Sequence, residues 1–511
     1  MADVVVCCDG TWNTPDDTEN GLPSPTNVYK IFNALDVGAA PGRELSYYHP
    51  GVGTGEGTLD RVLGGGVGAG LGRNIKSAYR WLAVNYREKD RIWLFGFSRG
   101  AFTARCVAGM VTRYGLLDLS DPALGPEEIW SQVDAVYEQY REGEGNRAPG
   151  KYFNQNKKNK AKDGITPVFF IGVWDTVGAL GVPDDLAFLD LLDDPTKYQF
   201  HDTTLNEHVL NARHALALDE MRQSFIPTLW TGVEGREETV KQLWFPGVHS
   251  DVGGGYAETQ LSDSALLWMM EQAEDGGKGL KFHNVKGQLK GDPLGFMHDS
   301  ASGVFKFLPS RPRNVPPVDV DNPGKDLHGS VLDRAKGPLL SQARYRRHLS
   351  FGNGTVDVDI FARQRWNATG LYLEEGVTYQ FEARGQWEDG GIKSGPNGSA
   401  DGRFEPREIA HLVSKGIGIG ERAYKWLFRS DRADFAGTLR YEGADFFALI
   451  GVICNGAAGL EEQEWEQEHF LIGESATITP QASGYLYCFA NDVWLAYDNN
   501  RGSVRLSVSV K

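Results

Sequence analysis

Residues 93–109, WLFGFSRGAFTARCVAG, decide the fold of the first part of the chain. The apolar residues over 90–97 predict a buried strand, and the spacing over 99–115 predicts a helix directly after it. Between the two lies the pentapeptide Gly96-Phe97-Ser98-Arg99-Gly100. Its glycines lack the Cβ atoms that would clash at a sharp strand-to-helix turn, so the serine hydroxyl stands exposed at the sheet edge. The stretch predicts that Ser98 is a nucleophile, with a purely structural turn as the alternative.

Further segments of strand and helix pattern alternate up to about residue 300. Apolar runs of strand length occur within 3–8, 42–50, 90–97, 166–175 and the first part of 240–256. Helical spacing occurs within 74–88, 99–115, 127–142 and 261–277. Such alternation predicts an α/β fold, in which a mostly parallel sheet carries helices on both faces.

The pattern changes after residue 300. A proline-rich segment over 307–326 indicates a linker or a packed irregular stretch. From about residue 346 to the end, short alternating runs predict an antiparallel β-sandwich. One helical insertion, 407–428, interrupts them, and it is either a packed surface helix or a segment that touches lipid or covers the active site. We therefore predict two domains, 1–345 and 346–511.

The composition excludes several classes of protein. The chain has 511 residues, 41% of them hydrophobic and 23% charged, which is typical of a soluble globular protein. The net charge of −16, with no basic stripe, argues against a nucleic-acid partner. The longest uncharged apolar stretch, 446–460, is too short and too polar to be a transmembrane segment.

The cellular location is predicted from the N-terminus and the cysteines. No signal-peptide pattern opens the sequence, and the five cysteines are odd in number and form no CxxC motif. Both features indicate reduced thiols and a protein that is cytoplasmic as synthesised. Any export would use a route without a cleaved signal.

Polar residues follow two other predicted strands, and the carboxyl ends of parallel strands meet at one edge of a sheet. Asp175 ends one strand, and His249 lies in a glycine-rich loop after another. Because a serine nucleophile needs a base and an acid that orients this base, we expect His249 and Asp175 to fill these roles. Asp251 is the alternative acid, or it pins its own loop through a side-chain turn.

An esterase also needs donors that hold the developing oxyanion. The backbone N–H of Arg99, the residue after the predicted nucleophile, supplies one donor. The loop CDGTW at the end of the first strand supplies the second, from Gly10 or Thr11. Asp9 is expected to tie this loop in place, with an ordinary strand-ending aspartate as the alternative.

Several long motifs occur in order along 3–340 and resemble one known family. They are CDGTWN, TNVYK, YHPGVGTG, RIWLFGFSRGAFTAR, GVWDTVGALG, HALALDEMRQSFIPTLW and WFPGVHSDVGGGY. The family is the α/β-hydrolase domain found in many bacterial and fungal proteins, among them the type VI secretion phospholipase effectors. The resemblance implies cleavage of esters, often of phospholipids, with Ser98 and His249 matching the family's serine and histidine.

The C-terminal part is similar to the small bacterial calcium-dependent galactose-binding lectins. The likeness covers VTYQFEARGQW, SGPNG and the segment NDVWLAYDNNRGS. It implies a Ca²⁺ site at Asp492, Asn499 and Asn500, with oxygen ligands of the kind that Ca²⁺ prefers. The polar residues that would contact a sugar are not recognisable after SGPNG, so carbohydrate binding and a purely structural hairpin both stay open.

The sequence as a whole predicts a serine hydrolase of carboxylic esters, with a lipid or phospholipid substrate and no cofactor for catalysis. A carbohydrate esterase is the alternative enzyme. The alternative of another class is a carbohydrate-binding or adaptor protein whose hydrolase domain is inert.

Overall fold

The computed structural model describes residues 2–10, 13, 16–36, 45–51, 67–143, 147–154, 165–177, 203–283, 285–302, 306, 310–337, 345–352, 354–399, 439–455, 467–494 and 496–511. Two predicted features, Thr11 and the insertion 407–428, lie outside these residues. The chain divides into two compact units. The N-terminal unit comprises Met1–Ser300 with Lys325–Ala343, and the C-terminal unit comprises Ala301–Gly324 with Arg344–Lys511. Most of the proline-rich segment therefore belongs with the C-terminal unit.

A parallel sheet forms the centre of the N-terminal unit. The strands of this unit are β1 (Asp3–Cys8), β2 (Thr18–Glu19), β3 (Leu22–Pro23), β4 (Leu45–His49), β5 (Arg91–Phe97), β6 (Val168–Trp174), β7 (Ala212–Ala217) and β8 (Val240–Phe245). Six of them pair in the order β4-β1-β5-β6-β7-β8, and every pair is parallel. Strands β2 and β3 form a separate antiparallel hairpin.

Helices cover both faces of the sheet. They are α1 (Asn27–Ala34), α2 (Val67–Asn85), α3 (Arg99–Gly109), α4 (Pro126–Glu142), α5 (His249–Gly253), α6 (Gln260–Glu274) and α7 (Gly329–Lys336). Along β1, Val4 and Val6 belong to the buried cluster that includes α2, α3 and α4, whereas Val5 and Cys7 belong to the cluster that includes α1 and α6. Successive strand residues point to opposite faces, so each strand contributes side chains to the buried clusters on both faces of the sheet. The predicted α/β fold is confirmed.

Two elements differ from the prediction. Strand β7 lies between β6 and β8, although its short sequence ARHALA has no period that marks it as a strand. Its six residues are all buried, so polar and apolar positions do not alternate. The helix predicted over 99–115 is α-helical only to Gly109 and continues as a π-helical turn, Met110–Tyr114. No helix in the described part of the chain is long and apolar enough to span a bilayer.

The C-terminal unit is built from antiparallel strands. These are β9 (Val356–Phe361), β10 (Asn367–Leu373), β11 (Tyr379–Asp389), β12 (Ile392–Ser394), β13 (Leu449–Cys454), β14 (Glu468–Leu471), β15 (Ser475–Ile478), β16 (Gly484–Ala490) and β17 (Asn500–Val510). One sheet has the order β10-β16-β13-β14 and the other β12-β11-β17-β9, with β15 beside β11. Residues of both sheets, such as Phe381 and Leu486, share one buried cluster. The predicted β-sandwich is therefore confirmed as well.

Candidate active site

Ser98 lies at the sharp turn between β5 and α3. Its backbone has φ 56° and ψ −124°, which is strained for a residue with a side chain. A Cβ atom on Gly96 would lie 2.5 Å from the carbonyl oxygen of Gly100, and one on Gly100 would overlap the carbonyl oxygen of Cys8. Only glycine therefore fits at positions 96 and 100, two residues before and two residues after Ser98, as the sequence predicts. The Ser98 N–H donates to the Trp174 carbonyl (3.1 Å), which holds the turn against β6.

His249 and Asp175 form a buried pair at the same edge of the sheet. The distance between His249 Nδ1 and Asp175 Oδ2 is 2.5 Å. Asp175 follows β6 and is completely buried, and His249 opens α5 and is 4% exposed. Because Nδ1 donates to a carboxylate, the other ring nitrogen, Nε2, is the one that can accept a proton. The structure thus brings together the histidine and the aspartate that the sequence singles out.

Aromatic rings hold the His249 imidazole beside the serine turn. The ring of Phe97, the residue before Ser98, lies 4.6 Å from the imidazole between centroids. The ring of Phe225 meets the imidazole edge-on at 4.9 Å. Burial lowers the pKa of His249, and the hydrogen bond and negative charge of Asp175 only partly oppose this effect. The imidazole is therefore mostly neutral at pH 7, the form that can accept a proton.

The backbone around Asp175 is fixed by strand β7. The Asp175 N–H donates to the Ala215 carbonyl (2.7 Å), and Asp175 Oδ1 accepts from the Ala217 N–H (2.9 Å). His214, fully buried on β7, accepts at Nε2 from the Thr176 N–H (3.1 Å). These bonds keep one carboxylate oxygen engaged and aim the other at His249.

Asp251, the alternative acid, makes other contacts. Its Oδ2 accepts from the Val248 N–H and the His298 N–H, both at 3.1 Å, and its Oδ1 lies 2.7 Å from His298 Nδ1. Burial lowers the pKa of His298, but Asp251 and Glu258 outweigh this effect, so the pKa is raised overall. The structure therefore pairs Asp251 with His298 and with the start of its own helix, and pairs Asp175 with His249.

The loop after β1 packs directly against the serine. A Cβ atom on Gly10 would lie 3.4 Å from the Ser98 Cβ. The Gly10 N–H donates to Asp9 Oδ1 (2.7 Å), so this donor is already engaged. Asp9 Oδ2 accepts from the hydroxyls of Thr26 and Tyr48, both at 2.7 Å, which ties the loop in place. Burial raises the pKa of Asp9 to about 6. Of the two candidates for the second oxyanion donor, Gly10 thus has its N–H bonded to Asp9, and Thr11 lies outside the described residues.

Glu220 also contacts His249, although no sequence pattern singles it out. This residue is 1% exposed and lies in the loop after β7. Its Oε2 accepts from the His249 N–H (3.1 Å) and from Arg222 Nη2 (2.9 Å). The sequence feature that comes closest to marking Glu220 is the charged run DEMR, which follows a buried strand. This run lies within one of the family motifs.

Two clusters of side chains could hold a metal ion. In the N-terminal unit, ligand atoms of Glu19, Glu258 and His298 lie within 4.8 Å of one another. His298 Nε2 is also 3.4 Å from Glu258 Oε2, so these groups form an ion pair without a metal. The cluster is adjacent to the His249 loop through Asp251.

The second cluster contains the predicted calcium ligands of the C-terminal unit. Asn500 Nδ2 donates to Asp492 Oδ2 (2.8 Å), and Asn499 Nδ2 donates to Asp389 Oδ1 (2.5 Å). Asn500 therefore contacts Asp492, whereas Asn499 contacts Asp389, which is 2% exposed. Asn500 Oδ1 is buried and finds no hydrogen-bond partner among the described residues.

Comparisons with known proteins bear on the family. A family model described as "T6SS, Phospholipase effector Tle1-like, catalytic domain" matches residues 3–272. An uncharacterized protein of Saccharomyces cerevisiae is 31% identical over 239 residues, which are 43% of this chain and 32% of that protein. The match therefore spans about a third of the length of that relative.

Two solved structures align weakly. An uncharacterized protein from Pseudomonas aeruginosa aligns at 20% identity with a TM-score of 0.33, covering 56% of this chain and 47% of the other. The EclA N-terminal domain, a PllA-like lectin, aligns at 15% identity with a TM-score of 0.17, covering 30% of this chain and 95% of the other. The family model, in contrast, matches more than half of the chain, and this protein belongs to the family of Tle1-like catalytic domains of type VI secretion phospholipase effectors.

Proposed function

We propose that this protein is a serine esterase that hydrolyses carboxylic esters of phospholipids. The observation that carries the proposal is the buried 2.5 Å contact between His249 Nδ1 and Asp175 Oδ2 beside the strained turn of Ser98. Strain of this kind is concentrated at functional sites. A base, an orienting acid and a serine hydroxyl at one sheet edge are the parts of an acyl-transfer site. Membership of a phospholipase effector family supports a lipid substrate.

The proposed mechanism has two stages. In the first, His249 Nε2 takes the proton from Ser98 Oγ as Oγ bonds to the ester carbonyl carbon. The backbone N–H groups of Arg99 and of Gly10 or Thr11 stabilise the oxyanion. The tetrahedral intermediate then collapses, the carbon–oxygen bond to the alcohol breaks, and His249 protonates the departing lysolipid.

In the second stage, water attacks the acyl group on Ser98. His249 takes a proton from this water, and the oxygen of the water bonds to the acyl carbon. The intermediate collapses to the free fatty acid, and the proton on His249 returns to Ser98 Oγ. Asp175 stabilises the His249 imidazolium that forms in both stages. The carboxylate also keeps one proton of His249 on Nδ1.

Labelling with a fluorophosphonate and release of fatty acid from phosphatidylcholine vesicles test the proposal. Wild-type protein should be labelled and should release fatty acid, whereas Ser98→Ala should lose both. Ser120→Ala changes an exposed serine and should retain both. Labelling without release from vesicles, but with release of acetate from acetylated sugars, would favour the carbohydrate esterase. A folded wild type without labelling would favour an inert hydrolase domain.

We also propose a Ca²⁺ site in the C-terminal unit, because Asn500 contacts Asp492 and its buried Oδ1 has no hydrogen-bond partner among the described residues. Buried polar atoms rarely stay unpaired in proteins. Asp492, Asn499, Asn500 and Asp389 would hold the ion, since carboxylate and amide oxygens are the ligands that Ca²⁺ prefers. Bound Ca²⁺ would supply a positive charge that fixes the loop before β17.

Thermal unfolding in Ca²⁺ and in EGTA tests this site. Ca²⁺ should raise the melting temperature of the wild type but not that of Asp492→Asn, while Asp445→Asn serves as a control with the same charge change. Titration of galactose into the Ca²⁺-loaded protein then tests the carbohydrate expectation. An equal melting temperature in Ca²⁺ and EGTA would contradict the site.

A further inference from the structure

The geometry points to Arg222 and the buried Glu220 as a charge pair that positions the proposed catalytic base, His249. This inference rests on the proposed role of His249. It concerns residues that do not touch the substrate, so they are positioning residues. The pair follows β7, whereas His249 follows β8, and the loops after these neighbouring strands meet at the same edge of the sheet.

The Glu220 carboxylate receives an unusual number of hydrogen bonds. Oε1 accepts from the Met221 N–H (3.0 Å), the Arg222 N–H (2.8 Å), Arg222 Nε (2.9 Å) and Ser300 Oγ (2.7 Å). Oε2 accepts from Arg222 Nη2 (2.9 Å) and from the His249 N–H (3.1 Å). A buried ionised carboxylate is stable only when it is paired and hydrogen-bonded in this way. Glu220 therefore ties its own loop and the segment of Ser300 to the first residue of α5.

Arg222 reaches the His249 ring through Phe225. Its guanidinium lies 3.5 Å from the Phe225 ring centroid, and that ring meets the His249 imidazole edge-on. One residue pair thus holds the backbone of His249 through Glu220 and its ring through Arg222 and Phe225. Small displacements of a catalytic group have large effects on rate, so this support matters for catalysis.

The two charges have opposite effects on the imidazole. The charged groups that face His249 are Asp175, Glu220 and Arg222. Negative charge on Asp175 and Glu220 favours the imidazolium form and raises the pKa, whereas Arg222 lowers it. Removal of the Glu220 charge should therefore lower the pKa of His249, and removal of the Arg222 charge should raise it.

Titration of His249 by NMR of ¹⁵N-histidine-labelled protein tests the inference without reference to hydrolysis. The His249 signal is assigned by its loss in His249→Gln. In Glu220→Gln the pKa should fall, and in Arg222→Gln it should rise. Glu138→Gln and Arg141→Gln make the same charge changes in a pair exposed on α4 and should leave the pKa of His249 unchanged. A lower pKa of His249 in Glu220→Gln is the diagnostic result. If the substitution only loosened the loop around His249, the imidazole would become more exposed and its pKa would rise.

Activity separates this inference from the proposed function. In Glu220→Gln, kcat for a soluble ester should fall about tenfold or more with KM little changed, because the base is displaced while the substrate contacts remain. If the wild type hydrolyses no ester, the proposed function fails, but the opposite pKa shifts still establish the pair. Shifts in the same direction, or none, would overturn the inference.

Hydrogen exchange on the wild type decides the matter if Glu220→Gln does not fold. The His249 amide proton should exchange far more slowly than the amide of Ser120, which lies in an exposed segment. Rapid exchange at His249 would show that the contact with Glu220 does not persist, and the inference would fail.

Discussion

His249 Nδ1 and Asp175 Oδ2 lie 2.5 Å apart, although 74 residues separate them in the chain. The parallel sheet makes this contact, because β6 and β8 both end at the edge where Ser98 precedes α3. Asp175 is completely buried, and its second oxygen is held by the Ala217 N–H. The carboxylate is therefore fixed before any substrate binds, and the imidazole is kept in one tautomer.

Replacement of this carboxylate should abolish most of the activity. We expect Asp175→Asn to reduce kcat about ten-thousand-fold, because an amide at this position favours the wrong tautomer of the base. Hydrolysis of a p-nitrophenyl ester measures the effect. Asp251→Asn is the matched control and should reduce kcat by about tenfold at most, since Asp251 supports the loop. A larger loss in Asp251→Asn than in Asp175→Asn would assign the acid to Asp251 instead.

The pH dependence of hydrolysis should report the burial of His249. Burial lowers the pKa of His249 from the usual 6.5, and only the neutral imidazole can accept the serine proton. The rate should therefore fall as the pH drops through a midpoint below 6.5. A pH profile of kcat/KM measures this midpoint, and a midpoint above 6.5 would contradict the prediction.

Asp9 titrates in the same range and needs its own control. Burial raises the pKa of Asp9 to about 6, so protonation of Asp9 is a second candidate cause of the fall in rate at low pH. The profile of Asp9→Asn should keep the same midpoint at a lower overall rate, because protonation of His249 causes this fall in rate.

The same lowered pKa has a consequence for stability. In the unfolded chain His249 binds a proton more readily than in the folded protein, so folding releases protons in this pH window. The contribution of His249 therefore makes the free energy of unfolding decrease as the pH falls from 6.5 through the folded pKa. Urea unfolding of the wild type and His249→Gln over this range should show a steeper loss in the wild type.

Local sequence signals are sufficient to predict the fold class, and they single out Ser98, Asp175 and His249 as candidate site residues. Each of these residues directly follows an apolar run of strand length, and the parallel arrangement then places all such positions at one edge. Strand β7 was missed because its fully buried residues show no alternation. Glu220 was missed because its role depends on contacts with Ser300 and His249, which are distant in sequence and set only by the fold.

Asp9 should matter for both stability and activity. Asp9→Ala leaves the Gly10 N–H and the hydroxyls of Thr26 and Tyr48 without their acceptor, which should cost about 2 kcal/mol of unfolding free energy. The loop against Ser98 would also loosen, so kcat should fall. Urea unfolding and ester hydrolysis measure the two effects. Tyr48→Phe removes one of the three donors and should cost less, and an equal loss in both variants would argue against a shared anchor.

Gly100 should tolerate no side chain, because the sheet and the serine turn approach each other there. In Gly100→Ala, the new Cβ would overlap the carbonyl oxygens of Cys8 and Asp9, which belong to β1 and to the loop beside Ser98. Neither oxygen can move freely, since backbone atoms yield less easily than side-chain ends. We expect a loss of about 3 kcal/mol in unfolding free energy and a loss of fluorophosphonate labelling. Gly125→Ala is the matched control, because nothing lies within 4 Å of its Cβ position at the start of α4, and it should cost less than about 1 kcal/mol. A Gly100→Ala protein with wild-type stability and labelling would show that the turn does not need this close approach.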